Sequence, residues 1–301
     1  MMKAPSAPTT GKTFQMGRLA RALVCVVSAW LAMGRTALAD TDPADALHSI
    51  AFFYGEHPPV DELARYDAAV IEPDHGFVPP PAIVAPSKPI WYAYVSVGEV
   101  HPSRPYFGAI PPGWLHGTND AWQSSIVDQT SAGWPAFLVD QVVAPLWREG
   151  YRGFFLDTLD SYQLVATTDA ERAAQQAGLV AVIRAIHKRF PGAYLILNRG
   201  FELLPRIHTI VDAVAFESLF RGWDQGRRSY VVVSPQDHDW LLDQARTVRQ
   251  RYRLPLVSID YCDPADTACA RDTATQIRAL GMIPWVADGG LQTMGTGNTA
   301  D

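Results

Sequence analysis

The chain has 301 residues, and its 25 Lys and Arg against 31 Asp and Glu give a net charge of −6 at pH 7. This acidic balance disfavours a nucleic-acid-binding protein, because such proteins neutralise phosphates with Lys and Arg. The hydrophobic content of 48% is enough to bury a large core. About 260 residues after removal of a leader fit one domain of α/β-barrel size.

The first 39 residues have the pattern of a signal peptide. Four basic residues and no acid precede the apolar run Ala22–Met33, which is shorter than the roughly 20 residues that cross a bilayer. Ala37–Ala39 offers a small-x-small cleavage site, so the mature chain is expected to begin near Asp40 and to form a single domain, 40–301. The alternative is an uncleaved membrane anchor.

Removal of the leader takes away five of the 25 basic residues and no acid, so the mature net charge becomes −11. We therefore expect an exported protein, periplasmic or secreted, without stable membrane insertion. The sign of the charge favours a cationic or neutral partner.

After the leader, short apolar runs alternate with helical patterns, which is typical of βα units and a parallel sheet. Most runs are continuous rather than alternating, as in strands that are buried on both faces. The predicted strands are Ser49–Tyr54, Ala68–Glu72, Ile90–Ser96, Gly153–Asp157, Tyr194–Asn198, Ala213–Glu217, Leu256–Asp260 and Ile283–Ala287.

Apolar residues at three- and four-residue spacing predict the helices Pro135–Arg148, Asp169–Phe190, Asp237–Arg251 and Ala265–Leu280. Eight strands with intervening helices predict a (β/α)8 TIM barrel of the α/β class. Prolines between residues 73 and 89 predict a degenerate second helix, and the Gly- and Thr-rich tail shows no eighth helix. The alternative is an open doubly wound sheet, which predicts a Gly-rich phosphate turn that the sequence lacks.

The carboxyl ends of barrel strands carry the functional residues of such folds, and here these ends are rich in acids. Asp157 and Glu217 each close a buried strand. Two carboxyl groups that flank a glycosidic bond are what its hydrolysis requires. We therefore predict a glycoside hydrolase in which Asp157 and Glu217 are catalytic, the apolar neighbours of Glu217 raising its pKa for a general-acid role.

Further residues near the same strand ends are candidates for sugar binding, each with a structural alternative. Asp160 could cap a helix, Glu99 could cap or form a salt bridge, and Asn198 could serve a turn. Glu217 itself could pair with an arginine such as Arg199 or Arg221. The aromatic candidates, whose alternative is core packing, are Tyr54, Tyr261 and Trp285.

Cys262 and Cys269 are predicted to form a local disulfide in an oxidising compartment, and two free thiols are the alternative. No HExxH, HxxxH or HxH pair offers a zinc site, and no GxSxG nucleophile elbow occurs. We expect no metal and no cofactor.

Five ordered motifs carry a resemblance to a known group. They are Tyr94–Glu99, Phe155–Tyr162, Asn198–Phe201, Phe216–Phe220 and Asp260–Tyr261. Over most of the chain after the leader, the sequence resembles the PelA-type hydrolase domains of the Pel polysaccharide system. More distantly it resembles the endo-α-1,4-polygalactosaminidases of glycoside hydrolase family 114.

This resemblance implies a (β/α)8 barrel that cuts internal α-1,4 bonds of partly deacetylated galactosamine polymer with retention of configuration. It implies that Asp157 is the nucleophile and Glu217 the acid/base. The implied partner is a cationic amino-sugar exopolysaccharide of biofilms, and the export machinery of that polymer is a candidate partner. The deacetylase region of the Pel protein is absent after the eighth strand, so we expect a separate lytic hydrolase. The alternatives are a non-catalytic periplasmic polysaccharide-binding or assembly protein on a barrel scaffold, and the same chemistry on another glycan.

Overall fold

The computed structural model describes residues 47–81 and 88–297, so the predicted signal peptide lies outside the described residues. The strands, numbered in chain order, are β1 (Ile50–Phe53), β2 (Ala68–Ile71), β3 (Ile90–Ser96), β4 (Glu99–Val100), β5 (Leu115–Asn119), β6 (Ser124–Val127), β7 (Gly153–Asp157), β8 (Tyr194–Asn198), β9 (Ala213–Glu217), β10 (Arg221–Asp224), β11 (Ser229–Val232), β12 (Leu256–Tyr261), β13 (Ile283–Ala287) and β14 (Thr296–Gly297). The helices are α1 (Val60–Leu63), α2 (Trp134–Phe137), α3 (Ala144–Glu149), α4 (Asp169–Arg189), α5 (Leu204–Ile207), α6 (Pro235–Thr247) and α7 (Thr267–Ala279).

Eight parallel strands form the barrel in the order β1-β2-β3-β7-β8-β9-β12-β13. The two ends of this sheet meet, since β1 contacts β13 and the backbone N–H of Tyr54 donates to the carbonyl of Leu291 at 2.6 Å. The barrel prediction is therefore confirmed. The short strand β14 pairs antiparallel with β13.

The apolar runs place the acids at one rim of the barrel. In β7 the first four residues are buried, and only its last residue, Asp157, is partly exposed; β9 repeats this pattern with Glu217. Such strands are covered on both faces, by the barrel interior and by the helices. Because all eight strands are parallel, their terminal side chains gather at the same rim, which we call the mouth.

The four predicted helical segments are helical in the structure, although part of the backbone departs from α geometry, and the short helices α1 and α5 were not predicted. The predicted helix Pro135–Arg148 is divided into α2, a π-helical segment Leu138–Val143 and α3. Pro145 lies in the first turn of α3, where its missing N–H is tolerated. Helix α4 begins with a capping box between Thr168 and Glu171.

The degenerate second helix is represented, among the described residues, by the 3-10 turn Pro73–His75. Through residue 297 no helix follows β13, in agreement with the prediction. Among residues 47–81 and 88–297, no helix has the length and apolar character that a membrane crossing requires. The structure joins Cys262, directly after β12, to Cys269 in α7 by a disulfide.

Two antiparallel elements at the mouth were not predicted from the sequence. Strands β4, β5 and β6 form a three-stranded sheet after the third barrel strand, and β10 pairs with β11 after the sixth. These strands are short, and the middle of β5 is exposed and polar. Strand β11 does contain Tyr230, Val231 and Val232, but these side chains are exposed, unlike the buried apolar runs of the barrel strands.

Candidate active site

A cavity of about 660 Å³ opens at the mouth of the barrel. Seven of the eight residues predicted for the site line it: Tyr54, Glu99, Asp157, Asp160, Asn198, Glu217 and Tyr261. A second cavity, of about 700 Å³, lies at the opposite rim beside the first residues of β12 and β13. It is therefore separated from the strand ends that carry the acids.

Asp157, at the end of β7, accepts hydrogen bonds on both carboxylate oxygens. The hydroxyl of Tyr94 donates to Oδ2 at 2.7 Å, and Nδ2 of Asn198 donates to Oδ1 at 2.8 Å. Tyr94 comes from the neighbouring strand β3, which pairs with β7 in a register that sets Ser96 opposite Asp157. The partners of this carboxylate thus come from the two strands on either side of it.

Glu217, at the end of β9, is held in the same manner. The hydroxyl of Tyr261, from β12, donates to Oε2, and Nδ2 of Asn198 donates to Oε1 at 3.0 Å. The loop after Glu217 is fixed by the buried carboxylate of Asp260, which accepts the backbone N–H groups of Phe220 and Arg221, each at 2.7 Å.

Asn198 lies between the two carboxylates and donates to both from one nitrogen. These two hydrogen bonds are 2.8 and 3.0 Å long, so the distance between the nearest oxygens of Asp157 and Glu217 cannot exceed the sum of the two lengths. The carbonyl oxygen Oδ1 of Asn198 is buried and has no hydrogen-bond partner among the described residues. An unpartnered buried acceptor is costly unless a bound molecule completes it.

The two carboxyl groups titrate above their ordinary range. Burial raises the pKa of Glu217 to about 7, with a further increase from the negative charge of Asp157; hydrogen bonds from Tyr261 and Asn198 act in the opposite direction. Burial also raises the pKa of Asp157 above its ordinary value. Hydrogen bonds from Tyr94, Thr158 and Asn198 offset only part of this increase. The pair is suited to holding one proton on Glu217 near neutral pH.

Three tyrosines surround the pair and stay protonated at neutral pH. Burial, followed by the nearby carboxylates, raises the pKa of Tyr54, Tyr94 and Tyr261 well above 10. Tyr54 packs edge-on against Tyr94, with ring centroids 5.3 Å apart. The phenols of Tyr94 and Tyr261 therefore remain hydrogen-bond donors to the carboxylates.

The structure does not show the alternative in which the Glu217 carboxylate forms an ion pair with Arg199 or Arg221. Arg199 donates from Nη2 to the backbone carbonyl of Glu217 at 2.6 Å, and its Nη1 lies 3.5 Å from Oδ2 of Asp160. The Glu217 carboxylate is bonded to Tyr261 and Asn198 instead. Asp160 makes no side-chain cap to the 3-10 turn that follows it, so its carboxylate faces Arg199 and the cavity.

Glu99 is buried, and both of its carboxylate oxygens accept bonds from neutral donors. Nδ2 of Asn119 donates to Oε1 at 2.9 Å, and the hydroxyl of Ser124 donates to Oε2. These donors lie at the end of β5 and the start of β6. Glu99 therefore joins the two strands on either side of the β5–β6 turn rather than forming a salt bridge.

Comparison with known proteins identifies the family of the chain. The model of glycoside-hydrolase family GH114 matches residues 33–300. The chain belongs to this family. No curated protein sequence matches the chain.

Similar solved structures include two of the glycoside hydrolase domain of PelA from Pseudomonas aeruginosa. The first is 34% identical to this chain with a TM-score of 0.75, and the match covers 84% of this chain and 99% of that one. The second, a variant with one glutamate replaced by alanine, is 33% identical with the same TM-score and coverage. Ega3 of Aspergillus fumigatus, solved with galactosamine, is 14% identical with a TM-score of 0.60; the match covers 84% of this chain and 96% of Ega3, and it shows similarity of fold.

One predicted site residue of this GH114 chain is placed elsewhere. Trp285 lies in the middle of β13, is fully buried, and packs edge-on against Tyr66 at 5.6 Å between ring centroids. A ring without an exposed face cannot stack on a sugar. The predicted sugar contact of Trp285 is therefore wrong, and core packing, its alternative, is what the structure shows.

Some residues of the GH114 cavity were not predicted from the sequence. Arg104 donates to both carboxylate oxygens of Glu72, at 2.6 and 2.9 Å, and its guanidinium lies 5.3 Å from the centroid of the Tyr94 ring. Trp122 and Leu164 are exposed at the cavity wall. They come from loops, where no strand pattern points to the mouth.

Among the described residues, no group of three or more His, Cys, Asp or Glu side chains is arranged to hold a metal ion.

Proposed function

We propose that this GH114 glycoside hydrolase is a retaining endo-hydrolase of α-1,4-linked galactosamine and N-acetylgalactosamine exopolysaccharide. Asp157 is the nucleophile and Glu217 the acid/base. The observation that carries the proposal is that both carboxylates, from strands separated in sequence by 60 positions, bind the same nitrogen of Asn198 inside one cavity.

The spacing of the pair supports retention. Retaining glycosidases hold their two carboxyl groups about 5–5.5 Å apart, whereas inverting enzymes need roughly 6.5–9.5 Å to admit a water molecule. Both carboxylates bind the same nitrogen, at 2.8 and 3.0 Å. The distance between the nearest oxygens of Asp157 and Glu217 is therefore below the inverting range. A water-activating geometry between these oxygens is thus disfavoured.

The environments of the two carboxyls support their different roles. Tyr94 and Asn198 donate to the oxygens of Asp157, which favours its ionised form and aligns it as nucleophile. Glu217, with its pKa raised to about 7, is protonated in a large share of molecules near neutral pH and can deliver that proton to a leaving oxygen. Pairs of carboxyls with different environments divide acid and nucleophile roles in this way.

In the first step, an oxygen of Asp157 bonds to the anomeric carbon as the glycosidic C–O bond breaks, and the leaving oxygen takes the proton of Glu217. In the second step, ionised Glu217 removes a proton from water. The water oxygen attacks the same carbon, breaks its bond to Asp157 and regenerates both groups. Two inversions at one carbon give net retention.

The choice of substrate is supported by the charge of the cavity and by the 34% identity of the chain to the hydrolase domain of PelA. The lining contains more acids than bases, the two cations being Arg104 and Arg199. A polymer with free amines is cationic and is attracted to such a surface. We propose that Asp160, beside Arg199 at the cavity wall, and Tyr54 contact the bound sugar.

We also propose that the protein is exported and that the mature domain begins near Asp40. The leader pattern of residues 1–39 supports this, and so does the disulfide between Cys262 and Cys269, because such bonds persist in oxidising compartments. Terminal sequencing of protein recovered from the periplasm or medium would test this start; a start at Met1 would contradict it.

The function is tested with defined α-1,4-galactosamine oligomers of varied acetylation, using mass spectrometry for cleavage and NMR for the anomeric form released first. The wild type is expected to release internal fragments with the α configuration. Asp157→Asn and Glu217→Gln are expected to lose about 10⁴-fold or more in kcat, while the surface variant Asp243→Asn stays at wild-type rate.

Azide rescue separates the two roles. With Glu217→Ala, azide replaces water in the second step and gives an α-glycosyl azide. With Asp157→Gly, azide replaces the nucleophile and gives the β-azide. Near-normal turnover of either variant without azide, or an inverted first product from the wild type, would contradict the assignment.

A further inference from the structure

Trp122 occupies an exposed position at the cavity rim that no catalytic role explains. It lies in the turn between β5 and β6, lines the same cavity as Asp157 and Glu217, and is 55% exposed. A large aromatic side chain in water loses the free energy that burial would supply. Single exposed apolar residues are common, so the argument needs the surroundings of Trp122.

The turn that carries Trp122 is held at both ends. Asn119, at the end of β5, and Ser124, at the start of β6, both donate to the buried carboxylate of Glu99. The N–H of Trp122 donates to the carbonyl of Asn119 at 3.2 Å, which closes the turn. Because these two bonds also satisfy the buried carboxylate of Glu99, the ends of the turn are anchored to β4 and the turn is not a free loop.

A second exposed apolar side chain lies at the same cavity. Leu164 ends the 3-10 turn Ser161–Leu164 after β7, lines the cavity and is 62% exposed. The two segments are close: a Cβ on Gly117 of β5 would lie 2.8 Å from Cγ1 of Val165. Two apolar groups thus flank a cavity whose floor is formed by carboxylates and phenols.

We propose that Trp122, together with Leu164, forms a sugar-stacking subsite that binds a unit of the polymer away from the bond being cut, and that Glu99 is a positioning residue for this platform. Pyranose rings present C–H groups on their faces, and an aromatic ring covers them while the hydroxyls and amines stay in water. Trp122 and Leu164 offer such apolar surfaces beside an acidic cavity. The inference rests on the proposed function for the identity of the sugar chain.

The test measures kcat and KM on α-1,4-galactosamine oligomers of increasing length. For Trp122→Ala we expect KM on long oligomers to rise about tenfold with kcat little changed, and the shortest cleaved oligomer to be processed as by the wild type. Trp122→Phe should recover most of the affinity. The control is Trp240→Ala, which removes another half-exposed tryptophan that packs on Phe201 and should match the wild type at every length.

The role of Glu99 is tested by combining Glu99→Gln with Trp122→Ala. If Glu99 acts through the turn, Glu99→Gln raises KM on long oligomers, and the double variant is no worse than Trp122→Ala alone, since coupled residues are not additive. Additive effects in KM, or a loss in kcat at all lengths, would contradict the positioning role.

The outcomes separate this inference from the proposed function. A wild-type enzyme that cleaves the oligomers, with Trp122→Ala equal to it at every length, overturns the subsite and leaves the function standing. If the wild type does not cleave, the proposed function fails, and tryptophan fluorescence then measures binding of the same oligomers to the wild type and to Trp122→Ala. Equal affinities, or no binding, would overturn the subsite as well.

Discussion

Burial and mutual repulsion determine which of the two carboxyl groups at the mouth carries a proton. Asp157 and Glu217 share a donor and lie too close to ionise independently, so their titrations are coupled. The apolar strands that deliver both side chains to the mouth also remove their water. The same sequence feature therefore creates the site and tunes its acidity.

The first prediction concerns the pH dependence of cleavage. Because the acid must be protonated and its pKa is raised to about 7, kcat/KM should fall as the pH rises through about 7. Because Asp157 must be ionised and its pKa is raised above 3.8, activity should also fall on the acid side at a pH above 3.8. Initial rates between pH 3 and pH 9 measure both limbs.

A matched control for this profile is Asp212→Asn. Burial raises the pKa of Asp212 to about 6, but Asp212 precedes β9, at the rim opposite the mouth. Its replacement should leave both limbs where they are. An alkaline limb that moves with Asp212→Asn, or one that lies near the ordinary pKa of glutamate, would contradict the assignment of Glu217.

At the residue scale, the sequence predicted the acids better than the aromatics. Asp157 and Glu217 could be recognised because each ends an apolar run, and a strand ending in an acid has few structural explanations. Trp285 also lies in such a run, but it stands in the middle of β13 rather than at its end, and a strand that is covered on both faces buries its middle residues. Trp122 lies in a polar turn without any periodic signal, and the sequence pattern did not reveal it.

The same difference holds for whole elements. Barrel strands such as β7 and β9 were predicted with their observed bounds, since burial on both faces makes them uniformly apolar. The β4–β6 sheet was missed, because β5 is half in water and its Gly117 has the left-handed φ of +85°, which favours reading this segment as a loop. Helix Pro135–Arg148 was predicted as continuous, and the structure interrupts it with a π-helical segment before Pro145.

The second prediction concerns the disulfide that ties the end of β12 to α7. Replacing both Cys262 and Cys269 by alanine should lower the free energy of unfolding by about 2 kcal/mol, since the bond closes a short loop, and Tm by about 5 °C. Calorimetry at neutral pH measures the change. Reductant should lower the Tm of the wild type and leave the variant unaffected; a wild type insensitive to reductant would contradict the stabilising role.

At the scale of the molecule, buried carboxyls with raised pKa values set the response of stability to pH. Glu217 moves from 4.5 to about 7 and Asp212 from 3.8 to about 6, both chiefly by burial. A group whose pKa is raised in the folded state binds more protons there than in the unfolded chain. Its contribution to the free energy of unfolding is therefore fully retained below the pKa of the unfolded state. This contribution is lost as the pH rises through the pKa of the folded state.

The third prediction follows from this sign. Glu217→Gln should gain stability relative to the wild type as the pH rises from 5 to 8, because only the wild type must ionise a second carboxyl beside Asp157. Tm values at several pH values, measured for the variant and for Asp243→Asn as a surface control, give the difference. The quantity to follow is the Tm of Glu217→Gln minus the Tm of the wild type. If this quantity stays constant across the range, or falls with rising pH, the raised pKa is contradicted.

The barrel as a whole was predictable because eight apolar runs are interspersed with four helical patterns and no phosphate-binding turn favours the open sheet. Closure was less accessible to sequence reasoning, since it depends on contacts such as that of Tyr54 with Leu291, which no local pattern encodes. The same limit applies to the cavity, whose shape depends on loops that meet only after the barrel has formed.

The direction of the last short strand has a practical consequence. Strand β14 runs antiparallel to β13, with Thr296 beside Val286 and Gly297 beside Trp285, so the described chain leaves heading away from the carboxylates. At the other end, β1 starts at Ile50 on that same far rim. If the enzyme were immobilised on a bead through either flank of residues 50–297, its cleft would face away from the bead. The cleft could then reach a film of polymer that cannot diffuse to the enzyme.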